Sequence, residues 1–177
     1  VKITVLDSAT PAEAQSSGSY TYTAVSSPVQ STTLAKKWAW QVSDDSGATW
    51  TTVKGVTNFQ PAVDQTTQDD SDYDGGEWGS DVVTQLKWSL VASFDRKVTT
   101  GYVEDAGQAI LRAAYDQVGA DAVVYSRWYD RNGGTGAYSG YGNVKWSEKG
   151  GGTADKSSVD VTIMGRGERT LITNPAA

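Results

Sequence analysis

Val82-Val83-Thr84-Gln85-Leu86-Lys87-Trp88-Ser89-Leu90-Val91-Ala92-Ser93-Phe94-Asp95-Arg96-Lys97-Val98 carries the strongest strand pattern in the chain. Leu86, Trp88, Leu90, Ala92 and Phe94 alternate with Gln85, Lys87, Ser89, Val91, Ser93 and Asp95, so one face is buried and the other is wet or interfacial. At about 3.3 Å per residue the run is more than about 40 Å long. It reads as one long bent strand or a strand that changes partners.

Working outward from it, the flanking segments are also mostly strands. Upstream, Leu34 to Val42 puts Leu34, Lys36, Trp38, Trp40 and Val42 on one face, and Asp44-Asp45-Ser46-Gly47 turns the chain into a return arm at Thr49 to Val53. Phe59 to Val63 is a weaker apolar stretch broken by Pro61, and Gln65 to Ser80 is polar, acidic and Gly-rich, which predicts a loop. Downstream, Asp105 to Val118 predicts a helix. Asp105 is its cap, Ile110, Leu111, Ala114 and Val118 its apolar stripe, and Gly119 its stop. Ala122 to Tyr129, Gly142 to Ser147 and Val159 to Met164 predict three more strands, and Asn174 to Ala177 an unstructured tail or arm. At the other end, Val1 to Leu6 reads as a short strand or arm. Asp7 to Thr33 is Ser/Thr/Ala-rich and loosely held, with one strand at Ser19 to Val25. The expected fold is mainly β: an antiparallel sandwich or partial barrel with one packing helix, a single domain over 1–177 with an N-terminal arm of about 1–33 and a long acidic loop at about 65–80.

Composition removes whole classes of chemistry. There is no Cys and no His among the 177 residues, so disulfide scaffolds, Cys/His zinc sites, thiol nucleophiles and imidazole-based triads are excluded. A net charge of −6 argues against a nucleic-acid grip, which needs clustered Lys and Arg. No apolar run approaches the roughly 20 residues of a membrane span, and no secretory signal pattern is evident, so no membrane partner is expected. Seven Trp and nine Tyr against two Phe suit half-buried sheets and interfaces.

Four features invite a chemical reading. Asp70-Ser71-Asp72-Tyr73-Asp74-Gly75, followed by Asp81, has calcium-loop spacing. Its last carboxylate is the shorter Asp and helices do not flank it, so a solvated acidic loop is the stronger reading. Ser43-Asp44-Asp45-Ser46-Gly47-Ala48-Thr49-Trp50 resembles the Asp-box hairpin of sialidases. One copy without an arginine cluster predicts a stable turn, with Asp45 bonding amides, Gly47 at positive φ and Trp50 covering the turn. Asp95, Glu104, Asp105 and Glu148 are possible carboxylate pairs for a His-free glycosidase, but nothing in the sequence brings two together. Trp78, Tyr129, Tyr138, Tyr141 and Trp146 suit either sugar stacking or subunit contacts. Gly165-Arg166-Gly167 reads as a bulge or tight bend.

Lys37 to Val42, Thr49 to Val56, Asp69 to Asp74 with Trp78-Gly79-Ser80, Thr84 to Leu90, the single helix, Arg127 to Asp130, Ala137 to Gly140, Val159 to Thr162 with Gly165-Arg166-Gly167, and Ile172 to Pro175 form an ordered series. Taken in that order, these segments resemble the major tail (tail tube) proteins of siphophages, the phages with long non-contractile tails, particularly those of actinobacterial hosts. The resemblance covers the chain from about Leu34 onward. It implies a non-enzymatic virion protein, made in the host cytoplasm, without a cofactor. Its hexameric rings would stack into a tube around a tape-measure protein, end on tail-tip and terminator proteins, and let genomic DNA pass without specific binding. On that reading Asp69, Asp70, Asp72, Tyr73, Asp74 and Trp78 belong to an inter-ring loop. Gln85, Lys87, Ser89, Ser93 and Asp95 face the lumen, together with the polar face of Ala122 to Tyr129, and part of the negative charge there repels DNA. The competing expectation is an Ig-like or carbohydrate-binding β-sandwich adhesion module.

Overall fold

A computed structural model describes residues 34–177. The expected arm of about 1–33, with its strands at Val1 to Leu6 and Ser19 to Val25, lies outside the described residues. A 3-10 turn at Ala35–Lys37 leads into β1 (Trp38–Ser43), followed by β2 (Thr51–Thr52), β3 (Val56–Asp69), β4 (Asp81–Asp95), α1 (Ala106–Tyr115), β5 (Val123–Asp130), β6 (Tyr138–Lys149), β7 (Ser158–Gly165) and β8 (Thr170–Leu171). All pairings are antiparallel in the order β2-β1-β5-β6-β7-β4-β3, with β8 added onto β6.

The sheet rolls over its own core. Trp88 on β4 meets Trp128 on β5 with ring centroids 5.4 Å apart, although β6 and β7 lie between those strands in the sheet. Phe59 on β3 likewise reaches Trp38 and Trp40 on β1, at 5.9 and 5.7 Å. The partial barrel is therefore shut by aromatic side chains rather than by a ladder between β1 and β3. Alternation supplies the filling. Trp40, Val42, Trp88, Leu90, Ala92, Phe94, Val124, Trp128, Val144, Trp146, Val159, Val161 and Ile163 are all buried, joined by Leu111 and Ala114 of α1.

Several expected boundaries move, each for a physical reason. Leu34 to Lys37 is not strand, because β1 starts only where β5 offers a partner, at Trp38 opposite Asp130. Phe59 to Val63 is the middle of a 14-residue strand, and Pro61 is tolerated there because β3 is the last strand of the sheet. Gln65 to Asp69 also belongs to β3, paired with Asp81 to Leu86, so the loop is only residues 70–80. The helix stops at Tyr115, and Val118, expected on the apolar stripe, is 87% exposed beyond it. β6 is twice as long as its apolar residues suggested. Gly140 and Gly142 do not break it; they make room for Trp88 and for Ile163 on β7. The C-terminal tail is anchored, with buried Asn174 donating to the carbonyls of Asp130 and Gly134 at 2.8 and 2.6 Å.

Candidate assembly surfaces

β3 and β4 run well past the core. β7 pairs with β4 only over Ser89–Asp95, so Asp81 to Trp88 is joined to β3 alone among the described residues. From Trp88 to Asp81 the ribbon projects about 20 Å at 3.3 Å per residue. The outer edge of β3 has no partner along its 14 residues among the described residues, leaving a row of backbone donors and acceptors. A bulge in the ribbon leaves Thr84 unpaired, with its hydroxyl donating to the Thr66 carbonyl at 3.1 Å. The extra residue puts Val83 on the same face as Leu86 and Trp88. An apolar stripe therefore continues outward from the core, with Leu86 64% and Val83 46% exposed.

The loop at the tip carries the residues expected between rings. Tyr73 and Trp78 are the most exposed aromatics there, with no core contact. Asp69 accepts the Ser71 amide at 2.8 Å and Asp72 accepts the Asp74 amide at 3.0 Å, while Ser71 Oγ accepts the Ser80 amide. The Ser71 hydroxyl and amide hold the Asp69 carboxyl below its ordinary value. Asp70 and Asp74 are exposed. Among the described residues no group of three or more carboxylates is gathered as metal ligands. Asp64 to Asp81 contains seven carboxylates and no Lys or Arg, and Lys87, opposite Asp64, is the one cation of the ribbon, so the whole net charge of −6 falls on the ribbon.

Gln85, Lys87, Ser89, Ser93 and Asp95 do share the non-core face of β4. Gln85 and Lys87 sit on the projecting ribbon, Lys87 opposite Asp64; Ser89, Ser93 and Asp95 are half-buried beside β7. The acids of this face are paired. Ser93 Oγ donates to Asp160 at 2.6 Å, Lys149 reaches the same carboxylate at 2.8 Å, and Lys156 lies 3.5 Å from Asp95. Hydrogen bonds from Lys149 and then Ser93 lower the Asp160 carboxyl from its ordinary value. On β5 the non-core residues Tyr125 and Arg127 are also tied down. Tyr125 stacks on Tyr141 at 4.2 Å, and Arg127 lies 4.2 Å over Trp50 and donates to Gln41.

The residues with possible chemistry find structural partners. Glu104 and Glu148 do come together, which no motif anticipated, but the Arg96 guanidinium bridges them at 2.9 and 3.4 Å and Arg112 adds a second contact to Glu104. Asp105 caps α1 through the Gln108 amide. Asp45 accepts Ser43 Oγ at 2.6 Å and the Thr49 amide at 2.8 Å, with Gly47 at φ 93°. Trp146, expected at the surface, is core, edge-on to Phe94. Tyr138 is half-buried and covered by Arg169. Gly165 admits no side chain, since a Cβ would lie 2.5 Å from the Trp88 ring, and the Gly167 carbonyl accepts the Trp88 indole N–H at 3.0 Å.

No protein-family model and no curated protein matches the sequence. Solved structures do. The chain resembles a subunit of the tail of an empty gene transfer agent particle refined with C6 symmetry, at TM-score 0.60 and 11% identity over 80% of this chain and 99% of that one. It resembles a subunit of the native gene transfer agent virion at 0.59 and 12%, over 80% and 99%. The SPP1 tail tube gives 0.58 and 12%, over 78% and 77%. Over about four fifths of its length the chain therefore shares its fold with subunits of phage-like tails.

Proposed function

We propose that the chain is a structural virion protein whose rings stack into a hollow tail tube through which DNA passes. The observation that carries this reading is the tail-tube fold with a ribbon and sheet edge that its own core leaves uncovered. A six-fold ring is supported by the C6 symmetry of one similar tail. In such a ring the free edge of β3 takes its ladder from a neighbour, and the closed barrel leaves no edge for aggregation. The acidic tip, with Asp69, Asp70, Asp72, Tyr73, Asp74 and Trp78, reaches the adjacent ring. The polar face with Gln85, Lys87, Ser89, Ser93 and Asp95 lines the lumen.

The pairing of Asp95 and Asp160 with lysines refines the electrostatic part of this reading. The wall is charge-balanced, and most of the negative charge sits in the tip. DNA slides past because a balanced wall offers no cluster of free cations to displace its counterions. Negative-stain microscopy of concentrated protein tests the assignment. Rings or tubes support it, and a monomer at every concentration that instead binds polysaccharide returns the chain to an adhesion module.

A further inference from the structure

The tip has a chemical counterpart at the far end of the same subunit. β3 begins and β4 ends there, about 45 Å from the tip at 3.3 Å per residue. Lys54 and Lys97 are fixed by one clamp. Gln108 donates to the Lys54 carbonyl at 2.7 Å and accepts the Lys97 amide at 3.2 Å, while Asp105 accepts the Lys54 amide at 3.3 Å and donates its own amide to the Lys97 carbonyl at 2.9 Å. Arg96, Arg112, Lys149 and Lys156 at this end are in ion pairs, whereas Lys54 and Lys97 are exposed with no such partner among the described residues. Next to them the turn from Thr99 to Val103 presents Val98, Tyr102 and Val103 to solvent. Tyr102 has φ 61°, a strained backbone for a large side chain, which displays its ring outward.

We propose that this patch, Lys54, Lys97, Val98, Tyr102 and Val103, receives the acidic tip of the next copy of this chain. The inference rests on the tube reading above and names the contact that joins one ring to the next. Charge is complementary, with seven carboxylates against the single Lys87 on the ribbon and two ammonium groups without an ion-pair partner among the described residues on the patch. The exposed Tyr73 and Trp78 match the exposed Tyr102 and its valines. The two surfaces lie at opposite ends of one subunit, so the contact is heterologous and repeats without closing, as a filament requires.

Because the chain has no Cys, a Tyr73→Cys/Tyr102→Cys variant carries only the two introduced thiols. Within one subunit they are far beyond disulfide reach, which ends near a Cα separation of about 7 Å. Oxidation of assembled protein is expected to give a ladder of covalent oligomers on non-reducing gels, with neither single variant giving more than dimers. Lys54→Glu/Lys97→Glu, checked for folding by circular dichroism, is expected to raise the concentration needed for polymer by about tenfold. Asp70→Lys/Asp72→Lys in the same chain is expected to restore it. Tubes that give no ladder, with the Lys54→Glu/Lys97→Glu protein polymerising as readily as the parent, overturn this docking and leave the tube reading standing. A parent chain that forms neither rings nor tubes overturns both.

Discussion

Trp88 lies in a slot whose walls are glycines. Its ring fills the space where a Cβ on Gly140 or Gly165 would have to go, at 2.6 and 2.5 Å, and its N–H is used by the Gly167 carbonyl. Trp88→Ala is expected to cost about 3–5 kcal/mol by chemical denaturation, since it opens a cavity against Trp128. Gly165→Ala meets rigid ring atoms and is expected to cost about 1–3 kcal/mol or more. A Gly165→Ala protein as stable as the parent would show that the slot relaxes. Asp45 offers a different test. Hydrogen bonds from the Ser43 hydroxyl and then the Thr49 amide lower its carboxyl from 3.8 to about 2. Its contribution to the hairpin is therefore complete above the ordinary value and lost as pH falls through about 2. An NMR titration of Asp45 is expected to give a midpoint near the lowered value, and a midpoint at the ordinary value would contradict the hydrogen bonds. At this scale the burial of Trp88 and the roles of Asp45 and Gly47 were legible, because alternation and turn chemistry are local. The glycine slot was not, because Gly140 and Gly165 meet Trp88 only through tertiary packing.

Among the elements, α1 is positioned by its first turn. Gly107 packs so closely on Thr52 and Val53 that a Cβ would approach within 2.7 Å, and Gln108 is fully buried, donating also to the Asp95 carbonyl at 3.0 Å. Gln108→Leu keeps the volume but leaves the Lys54 and Asp95 carbonyls and the Lys97 amide unpaired. It is expected to cost about 1–3 kcal/mol per orphaned group, read from the denaturation midpoint. Asp105→Ala is expected to cost about 0.5–2 kcal/mol through the lost cap. The helix and its cap could be read from Asp105 and the stripe at Ile110, Leu111 and Ala114. The length of β3 could not. Gln65 to Asp69 is polar and flanks an acidic run, so it has the composition of a loop, and only the ladder to Asp81 to Leu86 makes it strand. Local composition is silent about a partner on another strand.

For the whole molecule, removing Gln68 to Gly76 should shorten a ribbon that contributes nothing to the buried core. The variant is expected to unfold at the parent's denaturant midpoint yet fail to stack, as seen by electron microscopy; full-length tubes from it would show that the tip does not join rings. Tail-tube architecture was readable from the order of its segments, whereas the placement of charge was not, since a net −6 does not say that one ribbon holds it. That placement has a further consequence. Two tips brought together repel, because Asp64 to Asp81 has no cation to soften the contact. In the proposed tube subunits therefore do not meet tip to tip, and the polymer has a direction. One extremity of the proposed tube shows carboxylates in excess and the other pairs its carboxylates with Arg and Lys, so whatever starts such a structure and whatever finishes it must differ in chemistry.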